Sequence, residues 1–373
     1  MLPVDAQIFC GDHLVSIKEV RETNKIIASV GWGEIGDAYV KDVYLNNVTN
    51  TPLLRLTTAR GAVLRCTPDQ LCFGRFNNTM RMYSIYLHER STLGFRVGIT
   101  DNIVHDAIGM MTANNSFDVN HTITDRLWVI ENNSNLTSAT FLFKFIASKY
   151  GLPDIPFNAR QKDSMLNEQY VKKLFDGIDT PVRAKELLKD SNMFIEHPHL
   201  TVRLNAGDKA HSNSVQFTIF GSKEVGANGR HSHFIQVQGT GDPNTSEQFK
   251  IYRGRVGNHG VWNIEVVRED LEEAELFVKT VSNLDDLAVV KKIQLTRKNS
   301  YYVLPASHLK RGMLVPILTR SGTIEEDVIT KVENYEYEGP LYDLQVHDLY
   351  NFIVGQWVVM CYTPINKPQN VLL

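Results

Sequence analysis

Near its carboxyl end the chain reads LYDLQVHDLYNFIVGQWVVMCY, from Leu341 to Tyr362. Apolar and polar residues alternate in the first part of this stretch, a pattern typical of a strand with one buried face. Two further apolar runs follow, and Gly355 separates them, which predicts a tightly turned strand pair. The stretch therefore predicts a half-buried strand followed by a β-hairpin.

The bulk composition sets the class of protein. The chain has 373 residues, which is too long for most single cores and predicts more than one domain. Hydrophobic residues make up 43% and charged residues 22%, as in ordinary globular proteins. The formal net charge is -3, so nucleic-acid binding would require a local basic patch.

The cysteines and the apolar runs indicate the cellular compartment in which we expect the protein. Four cysteines are spread along the chain without metal-type spacing, so we expect neither a disulfide scaffold nor a zinc site. The first residues lack the basic and apolar regions of a secretory signal. No run approaches the roughly 18 apolar residues that a membrane span needs. We therefore expect a cytoplasmic protein with no membrane association.

Both ends of the chain have strand patterns, and the middle has helical ones. Short runs rich in Val, Ile and Leu alternate with Gly, Asp and Asn turn signals before residue 80 and again after residue 300. One long strand is predicted over IEEDVITKVENYEYEG, residues 324–339. Helices are predicted over 138–150, within 161–178, in a segment starting at Thr180-Pro181, and over 270–284. The expected segments are 1–80, 81–160, 161–299 and 300–373.

Three stretches in order along the chain resemble the splicing motifs of inteins, which are protein-splicing elements of the Hint (hedgehog-intein) family. They are PLLRLTTARGAVLRCTPDQLCFGRF (52–76), YVLPASHLKRGMLVPIL (302–318) and GPLYDLQVHDLYNFIVGQWVVM (339–360). Each is weak alone, but their order is specific. The resemblance implies a β horseshoe built from both chain ends.

The middle of the chain resembles the insert of inteins from bacterial UvrD/Rep-type DNA helicases. The matching stretches are YSIYLHERSTLGFRVGIT (83–100), DRLWVIEN (125–132), SKYGLPDIPF (148–157), RAKELLKD (183–190) and EHPHL (196–200). The implied fold is mainly β with an α+β insert: a Hint-type β horseshoe interrupted by a central, homing-endonuclease-like α/β segment.

At the amino end, splicing requires a thiol or hydroxyl at the first position of the element. Met1 occupies that position, and a thioether cannot attack a carbonyl. Cys10 is the nearest thiol, and we interpret it as a structural residue. Two readings of Met1 stay open: a replaced native cysteine, or a gene that starts at this residue.

The internal motif of inteins carries a threonine and, three residues on, a histidine. The resemblance assigns the threonine to Thr67, which orients the scissile amide, and places Gln70 where the proton-donating histidine belongs. A glutamine can donate a hydrogen bond but cannot transfer a proton near neutral pH. We expect this replacement to cost orders of magnitude in rate.

The carboxyl-terminal motif keeps its acid but not its other reactive groups. The resemblance makes Asp343 a residue that helps couple the two cleavage steps; a solvent-facing strand residue is the equal alternative. Tyr350 replaces the motif's histidine, and Met360 and Cys361 replace the final His-Asn. The asparagine normally cyclises and releases the following segment, and a cysteine has no carboxamide for this reaction.

The insert carries a weak likeness to the GIY-YIG nuclease hairpin, in which Tyr86 and Arg96 would lie near a phosphate. Such a nuclease needs a carboxylate to hold a divalent cation. Phe143 stands where helicase-intein inserts usually carry a glutamate, which disfavours Mg²⁺ binding. We favour a core sheet for this hairpin, and expect Mg²⁺ only if the nuclease reading holds.

Histidine and basic clusters complete the candidates. His197, His199, His211, His231 and His233 permit a metal site, but a structural role is favoured. Six basic residues have two possible interpretations. They are either scattered solvated charges or a patch that faces double-stranded DNA: Arg253, Arg255, Lys291, Lys292, Arg297 and Lys298.

Together these observations predict an intein-like protein that cannot splice and is retained as a binding scaffold. No cofactor or metal is expected, and whether the chain is an enzyme stays open. The alternatives are an active autoprocessing intein and a homing endonuclease that binds or cleaves DNA. The expected partners are the flanks of a host protein, if the chain is an intein, or double-stranded DNA. The sequence does not determine the oligomeric state.

Overall fold

A computed structural model describes the chain except for residues 12, 104–124, 158–165, 202–213, 227–228, 241–245, 253, 257–260, 285–287 and 362–373. Strands dominate both ends of the chain, and the helices lie in its middle. The mainly β fold with an α/β insert, predicted from the strand and helix periodicities, is confirmed.

The chain forms two compact units. The main unit comprises Met1–Arg75, Leu204–Ala306 and Leu314–Leu373. The hairpin unit comprises Phe76–Arg203 and Ser307–Met313. These divisions fall at other residues than the boundaries expected near 80, 160 and 299, because residues 204–306 group with the chain ends.

The elements are numbered in chain order. The strands are β1 (Leu2–Pro3), β2 (Gln7–Cys10), β3 (His13–Ser16), β4 (Lys25–Gly31), β5 (Glu34–Thr58), β6 (Val63–Cys66), β7 (Leu71–Gly74), β8 (Tyr83–Arg90), β9 (Gly94–Thr100), β10 (Arg126–Asn133), β11 (Leu200–Thr201), β12 (Ser214–Ile219), β13 (His233–Thr240), β14 (Arg255–Val256), β15 (Val261–Arg268), β16 (Ala288–Gln294), β17 (Ser300–Pro305), β18 (Leu314–Leu318), β19 (Ile324–Val346), β20 (Asn351–Val354) and β21 (Trp357–Met360). The helices are α1 (Leu136–Tyr150), α2 (Glu168–Asp176), α3 (Thr180–Asp190), α4 (Glu247–Tyr252) and α5 (Leu271–Leu284).

The two longest strands, β5 and β19, form one antiparallel ribbon that joins the two halves of the main unit. Its register runs from Ile329 opposite Thr58 to Val346 opposite Val40. The long strand predicted after residue 324 is confirmed, since β19 contains it. Strand β1 adds to the same ribbon by pairing with β19 at Leu2. The first residues of the chain therefore lie beside one of its last strands.

The hairpin predicted around Gly355 is also present. Strands β20 and β21 pair with Asn351 opposite Met360, and Gly355 between them has a φ of 56°, which glycine adopts without strain. Strand β21 also pairs with β7, where Val359 lies opposite Cys72. The last described strand is thereby held against the internal turn that precedes β7.

Residues 204–306 extend the main sheet. Strands β12, β13 and β15 are antiparallel neighbours, β16 runs parallel to β12, and α5 packs on one face. Strand β16 then pairs with β17, and β17 pairs with β7. This non-local pairing explains why the segment belongs to the main unit.

The hairpin unit contains a separate four-stranded sheet in the order β11-β10-β8-β9. The hairpin predicted over residues 83–100 is confirmed by the pairing of β8 with β9. One face of the sheet packs on α1 and α3 through a buried apolar cluster. Its members are Ile85, Leu87, Phe95, Val97, Trp128, Ile130, Ala139, Phe143, Ile146, Leu152, Ala184, Leu187, Leu188 and Met193.

The predicted helices are present, but the first begins at Leu136 rather than at residue 138, and the second is confined to Glu168–Asp176. The Asn135 side chain accepts from the Ser138 N–H and caps α1, whose other end is closed by the left-handed Gly151. Helix α3 begins at Thr180-Pro181, as predicted, with Asp179 as its cap. No helix within the described ranges has the length and apolar character needed to cross a membrane.

Candidate functional site

The candidate site begins at the amino end of the main unit, where the chain contacts the turn between β6 and β7. The Met1 ammonium donates to Thr67 Oγ1 at 2.6 Å. The Thr67 N–H donates to the Met1 carbonyl at 2.9 Å. Leu2, the next residue, is fully buried in the sheet. Thr67 therefore makes hydrogen bonds to both the ammonium group and the carbonyl group of Met1.

The β6–β7 turn is held at both of its ends. The Gln70 N–H donates to the Thr67 carbonyl at 3.1 Å, which closes the turn. The Ala306 N–H donates to the Gln70 carbonyl at 2.8 Å and ties the turn to the residue after β17. The Gln70 side chain is 3% exposed, so its orientation is fixed by packing.

The Gln70 side chain connects the turn to the carboxyl-terminal motif. Its Nε2 donates to the Met360 carbonyl at 2.8 Å in a buried contact. Met360 is the last residue of β21, whose neighbours β20 and β7 fix its position. The structure thus brings Met1, Thr67, Gln70 and Met360 together around one turn.

Cys361 follows directly and is buried. Its N–H donates to the Tyr350 carbonyl at 3.0 Å, and its Sγ donates to the Leu349 carbonyl at 3.4 Å. Burial, with a contribution from the Asp343 charge, raises the pKa of the Cys361 thiol well above its usual range. The thiol is therefore protonated at neutral pH.

Asp343 lies on β19 and is 6% exposed, so the solvent-facing alternative does not describe it. Its Oδ1 accepts from the Leu344 N–H at 2.9 Å. The charge of Asp343 contributes to the raised pKa of both Cys72 and Cys361, behind the larger effect of burial. The Asp343 carboxylate is therefore close enough to Cys72 and Cys361 to influence both thiols.

Tyr350 contributes its backbone to the site. Its carbonyl accepts from Cys361, as described above. Burial, followed by the charges of Glu275 and Glu272 on α5, raises the pKa of the Tyr350 phenol. A phenol held in its neutral form is a poor substitute for the histidine that donates a proton near neutral pH.

Two residues that the sequence reasoning missed also line the site. Cys66 and Cys72 flank the β6–β7 turn, and both are fully buried. Burial and a hydrogen bond with Cys66 raise the pKa of the Cys72 thiol, while the Met1 ammonium opposes this shift. The available signal was their place in short apolar strands on either side of the Thr-Pro turn. Cys10, by contrast, lies on β2 and is partly exposed.

The nuclease candidates lie inside the hairpin unit. Tyr86 and Arg96 are each 7% exposed, and Tyr86 stacks on His88 at 4.2 Å between ring centroids. The Arg96 guanidinium lies 5.8 Å from the Phe157 ring centroid, and burial lowers its pKa. Phe143 is a member of the apolar cluster, so no carboxylate stands in its place. The hairpin therefore has the packing of a core sheet.

Two of the candidate histidines, His199 and His233, make hydrogen bonds to the backbone. In the hairpin unit, His199 Nδ1 accepts from the Val129 N–H at 3.0 Å, and its Nε2 bonds the His308 carbonyl at 2.8 Å. In the main unit, His233 Nδ1 accepts from the Phe220 N–H at 3.1 Å. His211 falls outside the described residues. Across the described ranges, no three His, Cys, Asp or Glu side chains are grouped to hold a metal.

The described members of the group of six basic residues have different surroundings. Lys291 pairs with Glu275 on α5, and Lys292 lies over the Tyr302 ring at 5.1 Å. Arg297 and Lys298 line a separate cavity of about 510 Å³ that also contains Glu325 and Glu326. Arg255 is exposed on β14, and Arg253 lies outside the described residues.

Comparison of the chain with models of known protein families and with curated protein sequences gives no match. The assignment of a function therefore depends on the motifs and on the geometry of the site.

Proposed function

We propose that this chain is an intein-like protein of the Hint type whose splicing chemistry is lost and whose fold is retained as a binding scaffold. One observation carries the proposal: the two motif ends meet at one turn. Thr67 holds the Met1 ammonium, and Gln70, three residues on, holds the Met360 carbonyl. A protein that joins its flanking segments requires such a meeting of ends.

The same contacts explain why splicing is absent from the proposal. Met1 offers a thioether in place of a nucleophile, and Gln70 offers a hydrogen bond without a transferable proton. Cys361 lacks the carboxamide that cyclises. The framework around these residues stays complete, since the turn, the ribbon and the last hairpin are all paired. Under this proposal the protein works in the cytoplasm through binding.

The first test fuses a different reporter domain to each end of the chain. We expect only the full-length fusion, because no step that joins the flanks has its nucleophile. Denaturing electrophoresis with antibodies to both reporters separates the products. A ligated product that carries both reporters without the intervening chain would contradict the proposal and indicate an active intein.

The second test restores the reactive groups through Met1→Cys, Gln70→His, Met360→His and Cys361→Asn in the same fusion. We expect cleaved or ligated product from the restored chain. The matched control adds Thr67→Ala to the restored chain, and we expect at least a tenfold loss because the hydroxyl no longer orients the first residue. A restored chain that is folded, as judged by circular dichroism, and inert contradicts the intein-like assignment.

Double-stranded DNA binding is the second candidate, and one sheet face in the main unit favours it. Across β12, β13 and β15, Gln216 lies opposite Gln236, and Gln238 lies opposite Asn263. These side chains are only half-buried, and Gln236 and Asn263 both donate to the Glu265 carboxylate, at 3.3 Å and 3.1 Å. Side-chain amides of this kind can bond adenine edges in the major groove.

Fluorescence anisotropy with duplex DNA at low and high salt tests this candidate. Specific binding through the amide face predicts loss of affinity in Gln216→Ala and Gln238→Ala, with unchanged affinity in the exposed variant Asn78→Ala of the hairpin unit. A plasmid-nicking assay with Mg²⁺ tests nuclease activity. We expect no nicking, since the described hairpin buries both Tyr86 and Arg96.

A further inference from the structure

Four segments of the main unit converge on the cavity of about 510 Å³ that Arg297 and Lys298 line. They are the β4–β5 turn, the β5–β6 turn, the loop between β16 and β17, and the start of β19. The Gly33 N–H donates to the Leu295 carbonyl at 2.9 Å, and the Ile324 N–H donates to the Gly33 carbonyl at 2.9 Å. These bonds fix the loop relative to β19, so the cavity is built from connected backbone.

The loop between β16 and β17 is also braced within itself. The Thr296 side chain is 5% exposed; its Oγ1 accepts from the Asn299 N–H at 3.2 Å and donates to the Asn299 carbonyl at 3.3 Å. Gln294 Nε2 donates to the Thr296 carbonyl at 2.8 Å. Arg297 and Lys298 lie between these contacts with exposed side chains. Their backbone is therefore positioned before any ligand binds, which lowers the entropic cost of binding.

The carboxylates of the cavity already have cationic partners. Glu325 pairs with the Arg60 guanidinium at 2.8 Å. Glu326 pairs with Arg75 and also accepts from Asn299 Nδ2 at 2.9 Å. Each of the two negative charges is therefore offset by an arginine of the main unit.

Arg297 and Lys298 are different in this respect. Within the described part of the chain, neither side chain makes an ion pair or a hydrogen bond. Their two positive charges remain after Arg60 and Arg75 have offset the glutamates. An excess of positive charge in a concave site attracts anions. A guanidinium with unused N–H groups binds two oxygens of a phosphate at once, and an ammonium adds a second charge.

The cavity favours a compact anion over a nucleic acid. Its volume lies within the range of about 300–1,000 Å³ that is usual for small-molecule sites. Glu325 and Glu326 line it together with the cations, so the closely spaced phosphates of a polyanion would meet negative charge. None of the described residues that line it is aromatic, so a base has no ring on which to stack.

We propose that this cavity binds the phosphate dianion of a small molecule, with Arg297 and Lys298 as its charged contacts. Inorganic phosphate and the phosphate monoester of a small metabolite present the same group. The inference goes beyond the scaffold function and does not depend on the splicing motifs. An anion in the cavity competes with Glu325 for Arg60, so the Arg60–Glu325 pair limits the affinity.

The experiment titrates the full chain with inorganic phosphate, and in separate arms with glycerol phosphate and with a short DNA duplex. Sodium chloride keeps the ionic strength equal in all arms. Phosphorus NMR measures binding of the two small probes, and fluorescence anisotropy measures binding of the duplex. We expect saturable binding of a small probe that weakens as the ionic strength rises, because both cations are exposed. Tighter binding of glycerol phosphate than of inorganic phosphate would identify a monoester as the ligand.

Variants test the charged contacts. Arg297→Gln and Lys298→Gln should each weaken binding by about tenfold, since each removes a charged hydrogen bond to the anion. Glu325→Gln should strengthen binding by about threefold, because it releases Arg60 to the anion. Arg320→Gln, which removes an exposed arginine that does not line the cavity, should change the affinity by less than about twofold. Circular dichroism and thermal melting confirm that each variant is folded.

Absence of saturable binding of both small probes to the folded, unaltered chain overturns the inference. An unchanged affinity in a folded chain that carries both Arg297→Gln and Lys298→Gln overturns it as well. Binding of the duplex alone, lost in the same double variant, would assign the two cations to a nucleic-acid surface and would also contradict the inference. The reporter fusions test the scaffold proposal separately, so the two failures are distinguishable.

Discussion

At the scale of single residues, the candidate site is organised by two side chains of one turn. Thr67 accepts from the Met1 ammonium, and Gln70 donates to the Met360 carbonyl. A hydroxyl and an amide are sufficient to hold two chain segments together because both contacts are largely buried. Neither group carries a proton that titrates near neutral pH, so the contacts hold the segments without supplying acid–base catalysis.

Thr67→Val should destabilise the protein by about 1–3 kcal/mol, because it removes the hydroxyl acceptor from the part-buried Met1 ammonium. Urea unfolding measures the change. Thr49→Val, an exposed threonine on β5, is the matched control and should change stability by less than about 0.5 kcal/mol. Equal effects of both substitutions would show that the ammonium contact contributes nothing.

Gly98→Ala should destabilise the hairpin unit by about 1–3 kcal/mol through overpacking. A Cβ at this position would lie 2.3 Å from Tyr86 Cε2, on a ring that stacks on His88. The same substitution in a Tyr86→Ala background should cost much less, since the ring is gone. Chemical denaturation of the four chains in this cycle gives the coupling, and independent, additive effects would contradict the packing argument.

At the scale of elements, Ser307–Met313 is a short segment built into the hairpin unit by histidines. His308 Nε2 accepts from the Phe194 N–H at 2.8 Å, and the His308 ring stacks on the Phe194 ring. His199 bonds the His308 carbonyl. Burial lowers the pKa of both imidazoles, that of His199 to about 3, and the neighbouring Lys310 adds to the effect. The segment is therefore held by neutral imidazoles.

The free energy of unfolding should fall on acidification below about pH 6.5. A buried histidine whose folded pKa is lowered binds fewer protons folded than unfolded, so stability rises with pH between the two pKa values. For His199 that window runs from about pH 3 to the unfolded value near 6.5.

His199→Gln tests this assignment by removing one titrating group from the window. The slope should decrease by about 1.4 kcal/mol per pH unit, as measured by urea unfolding at a series of pH values. His13→Gln, which changes an exposed histidine on β3, is the control for a general effect of removing an imidazole. An unchanged slope in His199→Gln would exclude His199 as a source of the acid sensitivity.

At the scale of the whole molecule, local pattern predicted the elements but not their assembly. The helices α1 and α3 and the strand β19 follow from periodicity and capping, which are encoded within a few residues. The grouping of residues 204–306 with the chain ends depends on β16 pairing with β17 and β17 with β7. Pairing between distant strands leaves no local signature, so the expected boundaries could not contain it.

For the candidate site, too, local sequence pattern did not predict which residues come together. Thr67, Gln70, Asp343, Met360 and Cys361 were predicted as one site through a family resemblance rather than through residue chemistry. The burial of Asp343 could not be read from alternation, because both faces of β19 carry mixed residues. Cys66 and Cys72 escaped because isolated cysteines in short strands resemble ordinary core residues.

The β5–β19 ribbon leads to a prediction about the whole chain. If this ribbon holds the halves of the main unit together, two separate chains cut between Thr240 and Ser246 should reassociate, because the ribbon pairs β5 of one with β19 of the other. Coexpression with an affinity tag on one fragment, followed by size-exclusion chromatography, measures the complex.

Leu344→Asp in the carboxyl fragment should abolish the complex, since this fully buried leucine lies opposite Val43 in the ribbon, and an unpaired charge there is costly. Glu333→Asp, on a half-buried side chain of the same strand, should leave it intact. Fragments that copurify equally well with Leu344→Asp would assign the association to the sheet contributed by β16, β17 and β7. That result would mean that the ribbon is not the element that brings Met1 and Met360 to the β6–β7 turn.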